Sequence, residues 1–133
     1  MRTSIAWPPF TENLQYLIGT LAGLFFLTVL FPQLHAIVFE TLLVSQESVF
    51  ERFQIWTLLT YGLWHADASH LFFNGFALWM FGGHIDRRWS NRRFWWFNMW
   101  CLLGGGILVV LAQLLFGYST PTLGYSSAVM GLL

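Results

Sequence analysis

Lysine is absent from this 133-residue chain, and charge of either sign is scarce: six arginines balance six acidic residues, together 9% of the sequence. Soluble domains carry about 25% charged residues. So few charges cannot solvate the surface of so short a chain, and a lipid bilayer is the better solvent for it. The missing lysine excludes a Ser–Lys dyad within the chain. The net charge of zero gives no reason to expect a nucleic-acid partner. The single Cys101 excludes an internal disulfide; it lies in an apolar run and reads as a small buried hydrophobe. No cleavable leader is expected, because the apolar run from Leu14 is not followed by a small-residue cleavage site.

Apolar residues are abundant, at 56% with 20% aromatic. They gather into uncharged runs. The first, 14–31, is 18 residues closed by Pro32, close to the ~20 needed to cross a hydrocarbon core. The second, about 68–83, follows the aromatic lead-in "FQIWTLLTYGLW" at 53–64, and the third is 94–116. A fourth begins at 123 and continues to 133. This pattern predicts an all-α, polytopic membrane bundle forming one domain. Between the first two runs lies a loop, 33–55, with Glu40, Glu47 and Glu51. Its Ile37, Val38, Leu42, Leu43, Val49 and Phe50 recur at helical spacing, which suits an amphipathic helix in the membrane interface.

Arginine placement sets an expected orientation. "HIDRRWSNRRF" puts Arg87, Arg88, Arg92 and Arg93 in one short turn, which the positive-inside rule assigns to the cytoplasm, together with Arg2 and the N-terminus. The acidic loop and the starts of the second and fourth runs then face outward. Trp89, Trp95, Trp96 and Trp100 suit an interfacial belt, and Gly19 with Gly23 forms a G-x-x-x-G suited to close helix contact.

Polar groups inside a membrane are costly and so mark candidate sites. The second run carries His70 and Asn74, spaced i, i+4 on one helix face, with His65 and Asp67 just before it. The fourth carries Ser126 and Ser127 near its start. In the expected topology these groups lie at similar depth, one to two turns below the outer surface. Acyl transfer needs a nucleophile and donors aimed at a developing oxyanion. Ser126 suits the first role; the Asn74 amide and a His70 ring N–H suit the second. The residues allow other uses: serines at a helix start are commonly caps, and His65, Asp67 and His70 form a cluster, although its spacing matches no H-E-x-x-H zinc motif. "GYSSA" does not match the G-x-S-x-G elbow, since position 128 is Ala.

Together, "WTLLTYGLWH" (56–65), "HLFFN" (70–74) and "GYSSAVMGLL" (124–133) resemble the rhomboid intramembrane serine proteases, whose pattern is roughly W-x-L-x-T-x-x-F-x-H, H-x-x-x-N and G-x-S-G-x-x-x-G. The resemblance covers about 56–133. It implies Ser126 as nucleophile, His70 and Asn74 as oxyanion-stabilising side chains beside the Ser126 N–H, and His65 supporting the site and its water access. Gly124 and Ser127 flank the nucleophile, and Gly124, Ala128 and Gly131 fall in register with the family pattern when Ser126 holds that place. The implied substrates are transmembrane segments of other membrane proteins, cut near the outer face, with no metal or cofactor. The implied setting is multi-pass, in the inner membrane of a bacterium. The sequence departs at Ser127, where the family usually has glycine, which leaves a catalytically inactive relative that binds transmembrane helices as the alternative. It also departs in length, because the family has at least six spans and takes its general base from a histidine on the last one. None of His35, His65, His70 and His84 matches that histidine. The chain is therefore expected to be the N-terminal portion of a rhomboid protease, inactive alone. Oligomeric state has no signal in the sequence.

Overall fold

The computed structural model describes residues 7–133, so the expectation for Arg2 lies outside the described residues. Among them the chain forms seven α-helices and no strand beyond one isolated bridge. α1, Glu12–Leu30, stops because Pro32 forces the preceding Phe31 out of helical geometry (φ −123°, ψ 78°). α2, Leu34–Thr41, has no buried residue and exposes Ile37 and Phe39. A π-helical turn at Glu47–Glu51 follows, tied by an exposed ion pair from Arg52 to Glu47, which contributes little on its own. α3, Thr57–Thr60, tightens into a 3₁₀ turn at Tyr61–Leu63.

α4, Ala68–Ala77, starts where the Asp67 carboxylate accepts from the His70 N–H (2.8 Å) and the Ser69 hydroxyl. It runs through a π turn at Leu78–Gly82 into α5, Gly83–Asp86, as one continuous rod. α6, Asn91–Phe116, is capped by Ser90 and closed by Gly117 in the left-handed conformation (φ 70°). α7, Ser126–Leu132, completes the described chain. α1 and α6 are long and apolar enough to cross a membrane. At 1.5 Å per residue they span about 28 and 39 Å, against a ~30 Å hydrocarbon core.

α6 buries one narrow stripe, Phe94, Asn98, Leu102, Gly106 and Val110, at intervals of four. At Gly106 a methyl group would lie 2.6 Å from the Leu58 carbonyl, so α3 and α6 meet backbone to backbone. Leu14, Leu17 and Leu21 of α1, with Leu78, Tyr125, Ala128 and Leu132, fill the rest of the core. The outward faces stay apolar, with Phe72, Phe73, Leu115 and Phe116 exposed, as suits lipid better than water.

Buried polar side chains fasten both ends. At the arginine end Asn13 donates to Asp86 (2.9 Å) and Asn91 (3.1 Å), and accepts from the Trp95 indole (3.2 Å), joining α1 to α5 and α6. At the opposite end fully buried Gln113 accepts from the Gln46 N–H and donates to the Thr120 carbonyl, both at 2.7 Å. Val44 and Thr122 exchange two backbone hydrogen bonds (3.2 and 2.8 Å). The loop between α1 and α4 is thereby stitched to the segment that leads into α7.

Candidate functional site

The turn before α7 is held from two directions by one residue, Tyr61. Its carbonyl accepts from the Gly124 N–H (3.0 Å), and its hydroxyl lies 2.7 Å from Ser127 Oγ. The Tyr61 proton goes to the Leu102 carbonyl (2.9 Å), so Ser127 donates to Tyr61 Oη. Tyr61 thus brackets Ser126. Tyr125 adds a third tether, donating to Asn98 Oδ1 (3.0 Å), while Asn98 donates in turn to the Phe94 carbonyl (2.8 Å).

Small residues let α7 approach α6. A methyl on Gly105 would collide with Ser127 Cβ and lie 2.6 Å from Tyr61 Oη; one on Gly131 would collide with Cys101 Sγ. Ser127 therefore occupies a notch that only a glycine at 105 leaves open. Its side chain faces α6, while Ser126, the first residue of α7, is exposed. Neither serine caps the helix: Tyr125 holds the N-cap position with no side-chain capping bond. The first-turn backbone bond runs from the Ala128 N–H to the Tyr125 carbonyl (3.1 Å), so the N–H groups of Ser126 and Ser127 fall in the helix's unpaired first turn.

α4 brings its imidazole to the same turn. Gly124 adopts φ +115°, and a methyl there would sit 2.5 Å from His70 Cε1 and 2.7 Å from Nε2. The ring of His70 thus rests on the backbone two residues from Ser126. Asn74 is buried one turn further on, and one of its amide protons is donated to the His70 carbonyl (3.0 Å).

His65 stands behind His70, with ring centroids 5.0 Å apart and planes at 68°. It is only 8% exposed, and neither ring nitrogen has a hydrogen-bond partner among the described residues. Burial, reinforced by the neighbouring His70 and opposed by Asp67, pushes its pKa down to about 4. His65 is therefore neutral near pH 7. The Asp67 carboxyl is held below its ordinary value chiefly by the Ser69 hydroxyl and then by the His70 N–H. A cavity of about 90 Å³ beside His65, lined also by Thr28, His35, Trp64 and Leu123, has room for ordered water. Among the described residues no three His, Cys, Asp or Glu side chains converge to hold a metal ion.

The structure brings together the turn of Gly124 and Ser126, the His70 ring, and His65 behind it. It turns Ser127 away toward Tyr61. Tyr61, Asn98 and Gly105 carry no local signal in the sequence, because their partners lie 66, 27 and 22 positions away.

Comparison with known proteins falls on this same region. The model of the Rhomboid domain family matches residues 52–133. Rhomboid protease GluP of Bacillus subtilis (strain 168) is 32% identical over 89 residues, covering 67% of this chain. The chain spans 17% of the length of that relative. The matched segment takes in α3 to α7, including Tyr61, His65, His70, Asn74 and the Gly124–Ser127 turn, and by it the chain belongs to the rhomboid family.

Proposed function

We propose that this chain supplies the nucleophile and the oxyanion-stabilising groups of an intramembrane serine endopeptidase. Its substrates are transmembrane segments of other membrane proteins. The observation that carries this is the seating of the His70 ring on Gly124, two residues from an exposed Ser126 whose turn Tyr61 fastens on both sides.

In this account Ser126 Oγ attacks the scissile carbonyl carbon and its proton passes to a general base. The resulting oxyanion accepts hydrogen bonds from the Ser126 N–H, a His70 ring N–H and the remaining Asn74 amide proton. Collapse of the intermediate breaks the C–N bond, the base returns the proton to the leaving amine, and water then hydrolyses the acyl-enzyme. Neutral His65 and the cavity beside it bring that water to the site. The reaction so written uses no cofactor.

The base comes from a histidine outside these 133 residues. His70 is engaged with Gly124, His65 lies behind it, His35 sits on α2, and His84 is with Arg87 and Arg88 at the far end. The chain alone is accordingly inactive or nearly so. The bilayer holds spans at about 14–31, 68–83 and 94–116 and the start of one at 123–133, with the 33–55 loop in the interface. The four-arginine turn and the N-terminus face the cytoplasm of a bacterium, and the site opens outward from the inner membrane.

Ser127, in place of the family's usual glycine, favours a second account, in which the pocket recognises transmembrane helices without cutting them. Gly105 answers that substitution by opening room for the side chain. Reconstitution of the full-length protein in liposomes with a single-span reporter distinguishes the two. Cleavage is expected, falling by at least about 10³-fold in Ser126→Ala. An uncut reporter that co-purifies with the folded protein would favour the binding account.

A further inference from the structure

An open apolar groove of about 520 Å³ runs between α1 and α4, walled by Ile18 and Ala22 on one side and Leu71, Phe72, Phe76 and Trp79 on the other. At the arginine end the groove is bordered by Trp79, whose indole donates to the Pro8 carbonyl (3.0 Å) and on which Trp7 stacks (centroids 6.0 Å, planes 6° apart). Beyond that border lies a second hollow of about 290 Å³, lined by His84, Arg87 and Arg88. The two are neighbours: Pro8 lines the groove, and Gly83 packs directly against the Pro8–Pro9 backbone next to His84. His84 lies on the same continuous rod as Trp79, and Arg87 and Arg88 follow just beyond its end. Among the described residues no acidic side chain lines the hollow, and the nearby Asp86 carboxylate is turned inward to Asn13.

A cationic hollow set just beyond the arginine end of an apolar groove matches one kind of molecule. We infer that the α1–α4 groove and the His84–Arg87–Arg88 hollow together bind an anionic phospholipid, with its phosphate on the arginines and one acyl chain along Phe72, Phe76 and Ala22. A basic pocket beside membrane helices selects acidic headgroups by charge. A zwitterionic lipid would fill the groove but gain little from the arginines. A soluble phosphate would meet the arginines but leave the groove empty. The site lies away from Ser126 and does not depend on the protease account.

The test is native mass spectrometry of the full-length protein in a neutral detergent, titrated with phosphatidylglycerol or phosphatidylcholine. Phosphatidylglycerol is expected to remain bound selectively. The Arg87→Gln/Arg88→Gln variant should weaken its retention about tenfold or more. Ala22→Phe, which fills the groove without touching the arginines, should weaken it as well, and glycerophosphate should fail to compete. The two variants alter different helices, so a folding failure in one leaves the other to decide. Equal retention of the two lipids, competition by glycerophosphate, or no retained lipid because another helix of the full-length protein covers the groove would each overturn the inference.

Discussion

Gly124→Ala in the full-length protein is expected to lower cleavage by about 100-fold or more while leaving the protein folded in the membrane. Two physical terms act at this position. At φ +115° an alanine occupies backbone space that L side chains rarely adopt, which costs on the order of 1–3 kcal/mol. Its methyl would also sit 2.5 Å from His70 Cε1, so either the ring or the turn must move. Overpacking of this kind costs roughly 1–3 kcal/mol more. The turn is fastened by the Gly124–Tyr61 and Ser127–Tyr61 hydrogen bonds, so the imidazole is the part with room to give. Displacing a reacting constellation by about 1 Å is enough for a 10²-fold loss. Reporter cleavage measured beside size-exclusion behaviour separates this from unfolding. A wild-type rate in Gly124→Ala would mean that contact between His70 and the nucleophile turn is dispensable.

Gly105→Ala should destabilise the protein by about 1–3 kcal/mol, and Ser127→Gly should recover more than half of that loss in the double variant. The methyl added at 105 collides with Ser127 Cβ and lies 2.8 Å from Ser127 Oγ. Removing the Ser127 side chain clears both contacts and frees Tyr61 Oη, itself 2.6 Å from the new methyl, to shift. Ser127→Gly alone should cost roughly 1 kcal/mol, through the lost hydrogen bond to Tyr61 and the flexibility of glycine within a helix. Thermal unfolding of the four proteins in one detergent closes the cycle. Strict additivity would contradict the packing of Ser127 into the Gly105 notch. The same pair bears on the departure from the family pattern: a serine after the proposed nucleophile is accommodated here because its neighbour on α6, Gly105, has no side chain.

The family and the all-α class were legible in the sequence because both rest on local signals. Uncharged runs bounded by Pro32 and by the arginine turn mark helices, and three short motifs in order mark the family. His70 and the Gly124 turn also had a signal, since polar residues stand out in apolar runs and the expected topology put both at one depth. Tyr61 had none. It sits in an aromatic lead-in among Trp56, Trp64 and Phe53, and only the fold shows that its carbonyl and hydroxyl reach two residues of one distant turn. Gln113 and Asn98 were hidden for a similar reason. Both are polar residues in the apolar stretch of α6, but nothing in the sequence names their partners, which lie on other segments: the Gln46 N–H for Gln113, the Tyr125 hydroxyl for Asn98. The π turn inside the α4–α5 rod is likewise invisible to periodicity, because it shifts the register by one residue without altering composition.

The choice of Ser126 over Ser127 is the centre of the account. Ser127 Oγ is committed to Tyr61 and faces α6, whereas Ser126 is exposed at the turn against which His70 rests. Labelling of the full-length, membrane-reconstituted protein with a fluorophosphonate probe tests this most directly. The account predicts covalent labelling that Ser126→Ala abolishes and Ser127→Ala leaves within about tenfold of wild type, the residual loss reflecting a loosened turn. Labelling that survives Ser126→Ala and disappears in Ser127→Ala would contradict it.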